Sequence, residues 1–209
     1  MTVLLTGFEP FEGQPVNASW LAVQAVAAGW AAPPRLEVVQ LPVSFARAPA
    51  ALLAALETFR PDVVVCVGEA GDRTALDVER VAVNVADARI PDNDGARPVD
   101  EAVVVEGPVA YLAGLPARAC VDAVTRAGVP AGISNSAGTF VCNAVFYTLA
   151  RALDGTGVAH GFVHVPRTPD QLAGGPTWGG VAGTDPGRGM RTDVAARGLS
   201  AVIAASAGR

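Results

Sequence analysis

The run Asp62-Val-Val-Val-Cys-Val-Gly68 decides the fold. It is almost continuously β-branched, too short for a helix, and bounded by Pro61 and Gly68. Such a run reads as a strand buried on both faces, the kind found in parallel sheets covered by helices on each side. Outward from it, strand and helix signals alternate. Upstream lie a strand at Val3-Leu4-Leu5, a helix from Asn17 to Ala28 closed by Gly29, a strand from Leu36 to Val43, and a helix from Arg47 to Phe59 with Pro49 tolerated in its first turn. Downstream lie an alternating strand from Glu79 to Val85 and a helix from Leu115 to Arg126, stopped by Gly128-Val-Pro130. A strand at 131–134, a helix from about 140 to 153, a strand at 158–165 and a last helix from near Thr192 to Ala205 complete the series. The alternation predicts a three-layer α/β/α sandwich around a largely parallel, twisted sheet, with residues 1–209 as one domain. Two stretches break the rhythm. Residues 87–98 are polar and turn-rich and read on composition as a solvated loop, and residues 172–190 are dense in glycine without apolar period and read as a second loop.

The chain is long enough for one sizeable core, and 51% hydrophobic against 17% charged residues excludes a disordered chain. The net charge is −5 and no basic run is present, so a nucleic-acid partner has no electrostatic footprint. Met1-Thr-Val-Leu-Leu-Thr-Gly7 reads as a first strand, not a signal peptide, and no apolar stretch reaches membrane-spanning length. The three cysteines, Cys66, Cys120 and Cys142, are odd in number and lack paired spacing. The expectation is a reducing cytoplasm, with no disulfide framework, no zinc pattern and no membrane partner.

Cys142 closes the small-residue run Ser134-Asn-Ser-Ala-Gly-Thr-Phe-Val-Cys142 and stands at the start of a helix, where a thiolate is favoured. Cys66 lies inside the buried strand and Cys120 mid-helix, so packing accounts for both. Of the two histidines, His164 ends the strand-like run Gly161-Phe-Val-His-Val-Pro166, at the edge where parallel sheets collect catalytic groups. His160 begins the same strand and points to the opposite end. A thiol–imidazole pair needs a third group to orient the ring. Glu79 is a candidate, although on its own, beside Arg80, it reads first as a surface ion pair. Phe8 and Phe11, in Thr6-Gly-Phe-Glu-Pro-Phe-Glu-Gly-Gln-Pro-Val-Asn17, either line a flat apolar pocket or cap the core; Gly7 and Gly13 do not make a dinucleotide fingerprint.

Five blocks together resemble the pyroglutamyl peptidase I (pyrrolidone carboxyl peptidase) family of cysteine exopeptidases. They are Thr6–Phe11 with Asn17 and Ser19, Glu79–Asn84, Asp87–Asn93, Ser134–Tyr147, and Gly161–Pro166 followed by Gln171. The resemblance implies an α/β/α hydrolase without metal or cofactor, which removes an N-terminal 5-oxoproline (pyroglutamate) from peptides, and a cytoplasmic homo-oligomer, dimer or tetramer. It makes Cys142 the nucleophile, His164 the general acid/base, Glu79 the residue orienting the imidazole, and Arg89 an oxyanion partner. Phe8 and Phe11 would sandwich the lactam ring, Ile90, Phe140 and Val141 would close its walls, and Asn17 and the residue at 69 would satisfy its polar groups. The chain departs from the family at Glu69, where relatives often carry glutamine, at Glu12 and Asp72, where glycine is common, at Ala18, where proline is common, and over its last forty residues. An ionised Glu69 cannot donate a hydrogen bond, so it either changes the contacts to substrate or turns away. A phosphate-dependent transferase on a related scaffold would need a basic or glycine-rich phosphate cradle, which is not evident in the sequence. A binder without catalysis is the other alternative.

Overall fold

The computed structural model describes residues 1–31, 33–174 and 189–207. The elements, in chain order, are β1 (Thr2–Phe8), α1 (Ala18–Gly29), β2 (Arg35–Leu41), α2 (Arg47–Phe59), β3 (Val63–Glu69), β4 (Leu76–Glu79), β5 (Val81–Val83), β6 (Ala110–Leu112), α3 (Ala117–Arg126), β7 (Ala131–Ser134), α4 (Val141–Leu153), β8 (Ala159–Val165), α5 (Pro169–Gly174) and α6 (Thr192–Ala207). Six strands form one sheet in the order β2-β1-β3-β8-β4-β7. All neighbours in it are parallel except β8 and β4, which run against each other.

The β3 run behaves as its composition requires. Every residue from Val63 to Glu69 is buried. Val63, Val65 and Val67 enter one apolar cluster with α1, α3 and α6, while Val64 and Cys66 enter the other with α2 and α4. Alternate side chains of one strand thus serve both helical layers, which makes the expected three-layer sandwich. β8 does the same: Val163 and Val165 face the first cluster, and Phe162 faces the second.

Three expectations need correction. Glu79–Val85 is not one strand. β4 ends at Glu79, and the chain changes partners at Arg80, whose N–H donates to Ser134 O (2.8 Å) and whose carbonyl accepts from Ala113 N (2.9 Å). β5 then pairs with β6 in a separate antiparallel ribbon that no periodicity announced. The helix expected from Leu115 starts two residues later, after Pro116, because Leu115 N is still tied to His160 O (2.9 Å). Within the glycine-rich stretch 172–190, residues up to Gly174 belong to α5, and 175–188 lie outside the described residues.

Candidate active site

Cys142 is the second residue of α4, reached from β7 through the loop 135–140. The N-cap, Phe140, offers no side-chain cap. The first-turn amides therefore lack intrahelical acceptors and present the positive end of the helix dipole beside the sulfur. β8 carries Phe162 and His164 on the face toward α4. His164 is 4% exposed, and Nδ1 lies 2.8 Å from Glu79 Oε1. Cys142 lies beside the same ring, whose protonated form it favours. Glu79 is fully buried; its second oxygen has no hydrogen-bond partner among the described residues, so its hydrogen bonding is concentrated on the imidazole.

Burial alone would push His164 down, since it penalises the imidazolium. The hydrogen bonds to Cys142 and Glu79, and their negative charge, outweigh it and raise the group from 6.5 to about 9. The site therefore keeps a proton on His164 at neutral pH. Cys66 contrasts with this: burial pushes its thiol up to about 12, which leaves it a packing residue.

Cys142 and His164 open onto a cavity of about 340 Å³. Phe8, Phe11, Val43, Phe140 and Val141 make it apolar, and Asn17, Glu69, Asp72 and Arg73 give it polar points. The stretches Ala70-Gly71 and Ser136-Ala137-Gly138 complete the lining. Phe11 and Phe140 face each other at 6.4 Å between centroids, and Phe45 braces Phe140 edge-on at 5.3 Å. Phe8, only 2% exposed, packs on Phe162 at 6.3 Å and belongs to the core as much as to the cavity.

Most residues singled out in the sequence converge here: Cys142, His164, Phe8, Phe11, Asn17, Glu69, Phe140 and Val141 line the cavity, and Glu79 stands behind His164. Arg89 and Ile90 do not line it. Arg89 is exposed, with its guanidinium 3.6 Å from Glu12. Asn17 spends its side chain on the start of α1, accepting from Ser19 N (3.0 Å) and donating to Glu9 O (3.0 Å). Glu69 is likewise committed: Oε2 accepts from Ala18 N (2.7 Å) and Gln171 Nε2 (2.9 Å), and Oε1 accepts from Arg167 Nε (3.0 Å). His160 is buried at the other end of β8, with Nδ1 2.8 Å from Val158 O. Arg73 was not singled out by the sequence, yet it lines the cavity, holds Asp77 at 2.7 Å and approaches Glu79 at 3.9 Å. Arg167, beneath Glu69, gave no signal at all.

A thiol and an imidazole thus line an apolar cavity on an α/β sheet, with a carboxylate bonded to the imidazole from behind. The family model for pyroglutamyl peptidase matches residues 1–209, and the chain belongs to that family. The pyrrolidone-carboxylate peptidase of Clavibacter michiganensis subsp. michiganensis is 50% identical over 206 residues, 98% of this chain and 92% of the relative. That of Streptomyces coelicolor is 47% identical over 208 residues, 98% and 91% of the two chains. Among solved structures, pyroglutamyl peptidase I from Bacillus amyloliquefaciens matches with a TM-score of 0.90 at 37% identity, over 100% of this chain and 95% of its own. The pyrrolidone carboxyl peptidase from Thermococcus litoralis matches with a TM-score of 0.85 at 36% identity, over 99% and 93%.

Proposed function

We propose that the protein hydrolyses the amide bond after an N-terminal 5-oxoproline of peptides, with Cys142 as nucleophile, His164 as general acid/base and Glu79 as the group that orients the ring. The observation that carries this reading is the buried Glu79–His164 hydrogen bond of 2.8 Å, with Cys142 and His164 side by side on the cavity wall. The proton that His164 holds is the one Cys142 has given up; the sulfur attacks the 5-oxoproline acyl carbon, and the carbonyl electrons move onto oxygen. The Cys142 N–H, at the uncapped start of α4, is the natural donor to that oxyanion. Arg89, the side-chain partner the resemblance implies, stands 3.6 Å from Glu12 and outside the cavity lining. The tetrahedral adduct collapses, the C–N bond breaks, and His164 returns its proton to the leaving amine. Water, deprotonated by His164, then attacks the thioester, and its collapse frees 5-oxoproline and the Cys142 sulfur.

A cavity of about 340 Å³ is at the small end of ligand sites, which suits a single ring. Phe11 and Phe140 would flank the lactam. With Asn17 and Glu69 committed elsewhere, and the main chain of Ala70 and Ser136 already hydrogen-bonded, the main chain of Gly71 and Ala137 is the source of partners for its N–H and C=O. A pocket that pairs those groups rejects N-terminal proline, which lacks the ring carbonyl. We also assign residues 1–209 to one catalytic domain, a cytoplasmic location, and assembly into a dimer or tetramer. Val99, Val105, Val109 and Leu112 are 69% to 85% exposed on and beside the β5–β6 ribbon, more apolar surface than an isolated chain favours.

The test is release of a fluorophore from its 5-oxoproline amide, with the proline amide as control. Turnover should vanish in Cys142→Ser and after iodoacetamide treatment. Undiminished turnover by Cys142→Ser would overturn the mechanism, and equal turnover of the two amides would overturn the specificity.

A further inference from the structure

Three of the departures from the family, Glu12, Glu69 and Asp72, are acidic, and the first two meet on one cation. Arg167 is 4% exposed; its Nε donates to Glu69 Oε1 at 3.0 Å, and its Nη2 lies 3.8 Å from Glu12 Oε2. The other oxygen of Glu12 is 3.6 Å from Arg89. The order Arg89, Glu12, Arg167, Glu69 therefore alternates in charge from the exposed rim to the buried end of β3. Glu69 in turn holds Ala18 N, at the start of α1, and Gln171 on α5. A carboxylate as buried as Glu69 is tolerated only with such partners.

Glu12 itself sits in an unfavourable backbone conformation. Gln14 N donates to Phe11 O at 3.0 Å, and the two central residues of this turn have φ of +53° (Glu12) and +71° (Gly13). Two positive φ values make a turn that favours glycine or asparagine at both positions. Glycine at 12 would relieve the backbone, so what glutamate adds lies in its side chain. That side chain reaches from the turn carrying Phe11 to Arg167 beneath the cavity.

We propose that Glu12, Arg167 and Glu69 are positioning residues, a clasp that holds the Phe11 turn against the sheet and so sets how tightly the ring is gripped. The proposal rests on the 5-oxoproline reading, and its test separates the two. Glu12→Gly and Glu12→Gln are compared with the wild type for KM, kcat and thermal midpoint on the fluorogenic 5-oxoproline amide. Both variants should raise KM about two- to fivefold with kcat little changed, the scale of a part-exposed ion pair. Glu12→Gly should do so while melting at the same temperature or higher, because glycine suits the positive φ. Glu69→Gln, which leaves Arg167 buried without its counter-charge and turns one acceptor oxygen into a donor, should raise KM about tenfold; if that variant does not fold, the two Glu12 variants still decide the matter. KM unchanged in both Glu12 variants, or kcat falling in step with an unchanged KM, overturns the clasp. Absence of wild-type turnover overturns the substrate reading instead. The clasp is then read from Cys142 alkylation by iodoacetamide, which should be faster in Glu12→Gln, and equal rates in the three proteins would sink it.

Discussion

Gly68 gives the sharpest test of where the Cys142 sulfur sits. It pairs with His164 in the β3–β8 ladder and carries no side chain toward α4. A Cβ there would lie 2.8 Å from the Phe162 ring and 2.9 Å from Cys142 Sγ. Ordinary contact needs about 3.6 Å, so Gly68→Ala demands a shift of about 0.7 Å from one neighbour or both. Phe162 cannot yield freely: it is fully buried and packed against Phe146 at 5.9 Å and His164 at 4.9 Å. If it moves it pushes His164; if the sulfur moves instead, the thiol leaves the imidazole. Either way the Cys142–His164 geometry is disturbed. A misplacement approaching 1 Å costs up to about a hundredfold in rate, so kcat/KM should fall about thirty- to a hundredfold. Overpacking at a buried site costs about 1–3 kcal/mol, which for a chain of this size lowers the thermal midpoint by roughly 2–12 °C. The assay is turnover of the fluorogenic 5-oxoproline amide beside a thermal melt. A Gly68→Ala protein that melts lower yet keeps kcat/KM within about twofold of wild type would refute the placement of the sulfur over β3.

Other predictions follow from the same site. Because His164 is raised to about 9, kcat/KM should decline above that pH, as the ring loses the proton owed to the leaving amine. Glu79→Gln removes a charge that supports the imidazolium, so this limb should move to lower pH while turnover drops about a hundredfold or more; a limb that stays in place would refute the assignment. The stability contribution of His164 is complete below its ordinary 6.5 and is lost as pH rises through about 9, so the urea midpoint should fall between about pH 6 and pH 10, and His164→Gln should flatten the fall. Asn143 is fully buried, accepting from Val83 N (3.0 Å) and donating to Val83 O and Val85 O (both 2.9 Å). Asn143→Asp, which cannot make the two donations, should destabilise by at least about 2 kcal/mol in urea titrations and by no less than Asn143→Ala.

The strands and helices that build both faces of the sheet were legible because each carries its own periodicity: β3 is apolar on both sides, and α2 and α4 repeat at helical spacing. What was not legible depended on pairing across the chain. Glu79 looked like the start of a strand beside Arg80, since alternation runs unbroken to Val85. Only the division of the Arg80 backbone, its N–H given to Ser134 and its carbonyl to Ala113, ends β4 there. Arg73 and Arg167 were illegible for a related reason. An arginine in a loop is usually solvated, and nothing local says that its partner, Asp77 or Glu69, sits on a strand end. Glu69 was visible as an oddity in the sequence, but its resolution needed three contacts from residues 18, 167 and 171.

The antiparallel pairing of β4 with β8 in the main sheet explains how a third group reaches the histidine at all. Had β4 run with β8, the residues near the C-terminal end of β4 would lie beside the end of β8 and look out on the same edge, toward the cavity and solvent. Because β4 runs against it, Asp77 stands opposite His164, and Glu79 stands opposite Phe162, two residues deeper in the sheet. Opposed residues in an antiparallel pair share a face, and the diagonal neighbour lies about 7–8 Å away, within reach of a long side chain. Glu79 spans that diagonal and meets Nδ1 from the buried side, which leaves the other ring nitrogen to Cys142 and the cavity. An aspartate side chain at this position would be one methylene short of the same contact. The substitution Glu79→Asp should therefore retain the charge but lose the 2.8 Å bond, and its turnover should resemble that of Glu79→Gln more than that of the wild type.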